Sequence, residues 1–128
     1  MNRKESGAFG EQVICDRLVS EGCEIIARNY HTRGGEIDII ASDGKYIRFI
    51  EVKLRAEGSM VSPLEAIDLR KQRRIVISAV KWLSENPCGL QPRFDAAAVT
   101  TLSSGSDVVT GIEYIENAFD AGVCNEIF

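Results

Sequence analysis

The chain has 128 residues and a mass of 14.1 kDa, so residues 1–128 read as a single domain with one core. Apolar residues make up 45% and charged residues 27%, which excludes wholesale disorder, and no apolar run approaches the ~20 residues that cross a bilayer. The net charge of -4 is uneven: five of the 19 acids follow Thr100, where there is no Lys or Arg, leaving 14 acids against 15 basic side chains before it. That balance permits a polyanionic partner without pointing to one.

The opening residues, Met1 to Gly7, lead into no apolar signal region, so export is not expected. The cysteines at 15, 23, 88 and 124 form no Cys-x-x-Cys pair. They read as reduced thiols of a cytoplasmic protein rather than zinc ligands or a disulfide framework. From about Ser6 to Glu21 the pattern is helical, with Ile14 and Leu18 on one stripe and Gly22 as its stop. A short strand is expected over Glu24 to Arg28. Two more should cover Glu36 to Ala41 and Tyr46 to Leu54, joined through Asp43-Gly44 as a hairpin. Ser62, Pro63 and Glu65 spell a capping box, predicting a long helix from Ser62 to about Glu85. Arg93 to Thr100 and Val108 to Ile115 read as further strands, separated by a polar loop. The order is mixed α/β, and its sheet begins as an antiparallel meander.

A two-residue turn at Asp43-Gly44 would set Glu36 opposite Glu51, Asp38 opposite Phe49 and Ile40 opposite Ile47. Alternation then projects Glu36, Asp38, Glu51 and Lys53 from one side, with Asp38 and Glu51 as diagonal neighbours. Two carboxylates about 5 Å apart repel by roughly 3 kcal/mol at an effective dielectric near 20. In strands this apolar, either one carboxyl stays protonated or Lys53 and a metal ion offset the charge. Glu11 falls on the first helix's apolar stripe, where an unpaired charge is costly. Gly7 and Gly10 beside it would let the helix approach the sheet closely. The plainer reading is an exposed Glu51-Lys53 neighbourhood with Glu11 reaching round to solvent. Burial and crowding of like charges together favour a functional cluster.

Asp38 followed by Glu51-Val52-Lys53 resembles the Asp…(Asp/Glu)-x-Lys signature of the PD-(D/E)XK nuclease superfamily, and a helix bearing a carboxylate ahead of it is similar to archaeal Holliday-junction resolvases. More closely, Gly10-Glu11, Arg28-Asn29, Gly35-Glu36-Ile37-Asp38, Phe49-Ile50-Glu51-Val52-Lys53, Arg93-Phe94-Asp95 and Asn117-Ala118-Phe119 resemble the YraN-like family of endonuclease-like proteins. No Pro precedes Asp38. The resemblance implies a restriction-endonuclease-like αβββαβ core, a mixed sheet flanked by helices. It also implies metal-dependent hydrolysis of phosphodiester bonds in DNA, with branched or structured DNA among the candidate substrates. Asp38, Glu51 and the Val52 carbonyl would ligate Mg²⁺ or Mn²⁺, an oxygen-rich set suited to a hard cation. Glu11 would hold the metal or its waters from the helix side. Lys53 would orient the attacking water or stabilise charge on the phosphoryl oxygens. Glu36 would support the site or pair with Arg28 or Arg33. A junction-resolving role would require a homodimer with two sites. The alternative is a non-catalytic nucleic-acid-binding module that keeps the nuclease fold.

On the long helix, Arg70, Arg73, Arg74 and Lys81 share one arc opposite Leu64, Ile75, Val76, Ala79 and Leu83. The basic arc reads as a phosphate-contacting face or as plain solvated surface. Lys71, at the border and nearer the sheet, is placed to contact substrate beside the metal. His31 reads as a surface residue and Trp82 as core. Asp95 reads as structural, pairing with a basic side chain near the active-site end, ahead of metal ligation.

Overall fold

The computed structural model describes residues 1–60, 62 and 65–124. The first helix, α1 (Arg3–Ser20), begins a turn earlier than expected because the Asn2 side chain accepts from the Glu5 N–H at 2.9 Å. It ends as foreseen: Gly22 takes a φ of +92°, and the Cys23 N–H returns to the Leu18 carbonyl. Three strands follow, β1 (Glu24–Thr32), β2 (Gly35–Ser42) and β3 (Tyr46–Ala56). β1 runs four residues beyond the expected Arg28, through Asn29 in a left-handed conformation at φ 52°. Beyond the second helix, α2 (Leu69–Glu85), lie β4 (Gln91–Thr101), β5 (Val109–Phe119) and a 3₁₀ turn (Ala121–Cys124).

The strands lie in chain order in one five-stranded sheet, antiparallel except where β4 runs parallel to β3. That parallel step is the one place the connection must cross a face, and α2 makes the crossing. This is the expected α/β architecture, a mixed sheet flanked by helices. α1 covers one face through Ile14 and Leu18, packed with Ile39, Ile50, Ala97 and Val99. α2 covers the other through Ile75, Val76, Ala79 and Trp82, packed with Ile40, Phe49 and Phe94. Among the described residues no helix is long and apolar enough to cross a membrane.

The long helix starts at Leu69, not at Ser62. The Ser62 and Glu65 side chains do exchange their capping bonds with each other's N–H, yet the turn they close does not continue. Asp68 caps the helix instead, accepting from the Lys71 N–H at 2.8 Å. The expected Pro63 and Leu64 positions lie outside the described residues. Gly35 (φ +156°) lets α2 lie close on β2: a Cβ there would meet the Arg74 Cβ at 3.0 Å. Gly10 on α1 has Leu54 and Val52 at ordinary contact distance, whereas Gly7 faces open space, so Gly7 plays no part in that packing.

Candidate active site

The register of β2 on β3 differs from the expected one by two residues. Ser42 pairs with Ile47, Ile40 with Phe49 and Ile39 with Ile50. The cause lies in the turn, where the Asp43 carboxylate accepts from the Lys45 and Tyr46 N–H groups and from Arg48, holding a longer loop than Asp-Gly alone implies. A two-residue slip keeps every side chain on its face. Continuing the register sets Asp38 directly opposite Glu51, where diagonal neighbours were expected. The ladder stops at Ile39–Ile50, and beyond it the Asp38 carboxylate itself accepts the Val52 N–H at 2.9 Å. A strand residue points its N–H and C=O the same way, so the Val52 carbonyl also faces β2 beyond the last ladder pair.

Asp38 and Glu51 are both buried, at 9% and 4% exposure. The Glu51 Oε1 receives two ammonium groups: Lys53 from its own strand at 3.4 Å and Lys71 from the first turn of α2 at 2.5 Å. The sequence placed Lys71 near the sheet but gave no sign of this ion pair. Burial first, then repulsion by Glu51, push the Asp38 carboxyl up to about 8, against the pull of the Val52 N–H. Burial and the adjacent Lys71 lower Lys53, with Glu51 opposing. Lys71 is raised: burial alone would lower it, but its contacts with Glu51 and Lys53 outweigh that.

Glu11 faces inward as its stripe position predicted. Its Oε1 is buried without a hydrogen-bond partner. Burial raises its pKa, the Arg28 guanidinium opposes, and the charges of Glu36 and Glu51 add to the rise. The field of Glu11 also reaches Asp38. Glu36, by contrast, is half-exposed and contacts His31 at 3.1 Å, rather than Arg28 or Arg33. Arg28 instead holds Gln12, and His31 is the surface residue expected.

Among the described residues no three His, Cys, Asp or Glu side chains converge closely enough to cage a metal. The chain offers two facing carboxylates, a carbonyl beside them and the orphaned Glu11 oxygen nearby. An all-oxygen set that leaves room for water fits Mg²⁺ or Mn²⁺ and does not suit a soft metal.

Of the basic arc, Arg70, Arg74 and Lys81 are exposed. Arg73 is not part of that surface, because its Nε donates to the Val123 carbonyl at 2.8 Å and ties α2 to the 3₁₀ turn. Arg70, Lys71 and Arg74 line a cavity of about 630 Å³ together with the β1–β2 turn, His31 to Glu36. That turn is shaped by Thr32, whose Oγ1 accepts from both Gly34 and Gly35. No signal in the sequence pointed to this cavity. Asp95 is fully buried and accepts from Arg93 twice, from the Tyr114 hydroxyl and from the Asn117 N–H. Its carboxylate is fully occupied, with Arg93 as the basic partner expected, but it lies level with Ile50 on the face turned away from Glu51 and not at the site.

The Asp38 environment yields a measurable pH dependence. An aspartate raised to about 8 from an ordinary 3.8 keeps, between those values, a proton that the unfolded chain has released. Its stabilising contribution is complete below the lower value and lost as pH rises through the higher, by up to about 1.4 kcal/mol per pH unit. Asp38→Asn copies the protonated form and cannot ionise. In EDTA, urea denaturation at pH 5, 7 and 9 should show the variant gaining on the wild type as pH rises; a constant difference would mean that Asp38 is ionised throughout.

Comparison with known proteins places this chain in a family. Residues 10–99 match the model of "Uncharacterised protein family UPF0102". A UPF0102 protein of Trichlorobacter lovleyi is 43% identical over 116 residues, covering 89% of both chains. One from Rhodococcus opacus is 40% identical over 88% of this chain and 94% of its own length, and one from Geobacter metallireducens is 38% identical over 94% and 96%. With near full-length matches at such identities and a family model that runs from within α1 through α2 into β4, the chain belongs to the UPF0102, or YraN-like, family.

Proposed function

We propose that this chain is a metal-dependent endonuclease of the PD-(D/E)XK type, hydrolysing phosphodiester bonds of DNA. The observation that carries the reading is the buried Asp38–Glu51 pair where the β2–β3 ladder ends, with two lysine ammoniums against it. A sheet serving only to fold gains nothing from that crowding, and like charges so placed in a poorly solvated site are a mark of function. Asp38 and Glu51 would hold the cation, aided by the Val52 carbonyl, and Glu11 would receive a hydrogen bond from its water shell. When bound, Mg²⁺ or Mn²⁺ polarises the phosphate and acidifies a water.

The remaining steps belong to the chain. Lys53 faces the developing phosphoryl charge, where a fixed cation in a dry site acts most strongly. Arg70 and Arg74 attract flanking phosphates into the cavity beside α2. The four thiols are free, which supports work in the reducing cytoplasm.

The test is cleavage of supercoiled, linear and branched DNA with Mn²⁺, by wild type and Asp38→Ala, beside calorimetric titration of Mn²⁺ into both. The expected result is metal binding and cleavage by wild type, with both lost in Asp38→Ala. DNA binding without cleavage of any substrate would favour the non-catalytic module. Equal cleavage by both proteins would mean a contaminant.

A further inference from the structure

The same site holds a feature that metal binding alone does not require. Lys71 lies on a different element from Lys53, and its ammonium sits closer to Glu51. Its stem rises from the first turn of α2, borders the cavity lined by Arg70 and Arg74, and is about one-third exposed. Such a side chain can leave Glu51 without disturbing the core. A divalent cation at Asp38 and Glu51, added to two ammoniums, would set four positive charges against two carboxylates. One cation must then withdraw, and Lys71 has somewhere to go.

We propose that Lys71 is a built-in stand-in for the metal: its ammonium neutralises Glu51 in the metal-free protein and is released into the adjoining cavity when a divalent cation takes Glu51. There it joins Arg70 and Arg74 as a third cation facing a substrate phosphate. Metal loading thereby prepares the phosphate-binding surface, and the metal-free protein keeps its buried carboxylate paired. The inference rests on the nuclease reading of the site and adds to it an exchange between Lys71 and the metal.

The exchange is read without any cleavage assay. Wild-type protein is acetylated with an amine-reactive ester, with and without saturating Mg²⁺, and Lys71 is compared by mass spectrometry with exposed Lys81 on the same helix. Mg²⁺ should speed acetylation of Lys71 relative to Lys81. Lys71→Met should bind Mn²⁺ about tenfold or more tightly, the scale of one close charge pair. Lys81→Met, which removes an exposed charge of the same helix outside the cavity, should change affinity far less. Mg²⁺ binding by wild type with unchanged Lys71 labelling would overturn the inference alone, as would weaker Mn²⁺ binding by Lys71→Met. No metal binding by wild type would overturn the nuclease reading and this inference together.

Discussion

Lys53→Met is expected to lower Mn²⁺-dependent DNA cleavage by about 10²–10³-fold, the usual loss on removing one preorganised electrostatic contact. The side chain stands 3.4 Å from Glu51 and borders a second cavity, of about 610 Å³, formed by the start of α1, the end of β3 and the Ser104-Gly105 turn. The ammonium is held beside Glu51 on a side chain about one-third exposed, so a phosphate brought to the carboxylates would meet its charge. Met keeps most of the stem and suits a strand, so the fold should survive. Glu51 retains Lys71 as a partner, which spares the variant an unpaired buried charge. DNA affinity should fall only modestly, because one contact among several is lost while the transition state loses its own. Single-turnover cleavage measured beside DNA binding separates the two effects. A rate within a few-fold of wild type would remove Lys53 from the chemistry.

The sequence made the carboxylate face legible because strand periodicity tolerates the error that was made. Reading Asp43-Gly44 as a two-residue turn missed the capture of the Lys45 and Tyr46 N–H groups by the Asp43 side chain. The resulting slip was even, so Asp38, Glu51 and Lys53 still share a site and the two acids meet more directly. Helix α2 shows the same forgiveness. Its start was misplaced at a true capping box that closes only a turn, but its burial followed residue spacing, so Ile75, Val76, Ala79 and Trp82 fell inward as read. The partner of Lys71 was not legible, because spacing on a helix cannot say which side chain waits on the sheet beneath. Nor was the left-handed turn at Asn29, which Asn tolerates without any flanking signal.

Asp95→Ala is expected to cost about 3–5 kcal/mol of stability, the range for removing one partner of a buried ion pair. Asp95 aligns with Ile50 on the neighbouring strand, so alternation turns it away from Glu51, towards α1. Its oxygens accept from Arg93 Nε and Nη2 at 2.9 and 3.0 Å, from the Tyr114 hydroxyl at 2.5 Å and from the Asn117 N–H at 2.9 Å. Asn117 has a φ of 52°, a conformation that the bond to Asp95 helps to hold. Removing the carboxylate would leave the Arg93 guanidinium, 11% exposed, to the longer ion pair it already makes with exposed Glu116 at 3.6 Å, on the side of the sheet where Arg48 already adds positive charge. The Tyr114 hydroxyl, kept protonated by burial and by Asp95, would lose its acceptor. Replacing both partners, Arg93→Met with Asp95→Ala, should cost less than Asp95→Ala alone, because no buried charge is then left unpaired. Urea denaturation of the two single variants and the double variant measures that coupling. Mn²⁺ binding under native conditions should persist in each, since Asp38, Glu51 and Val52 are untouched. A loss below 1 kcal/mol in Asp95→Ala would mean that Glu116, already 3.6 Å from Arg93, and water suffice for Arg93 and Tyr114, and that the network orders this face of the sheet without stabilising it.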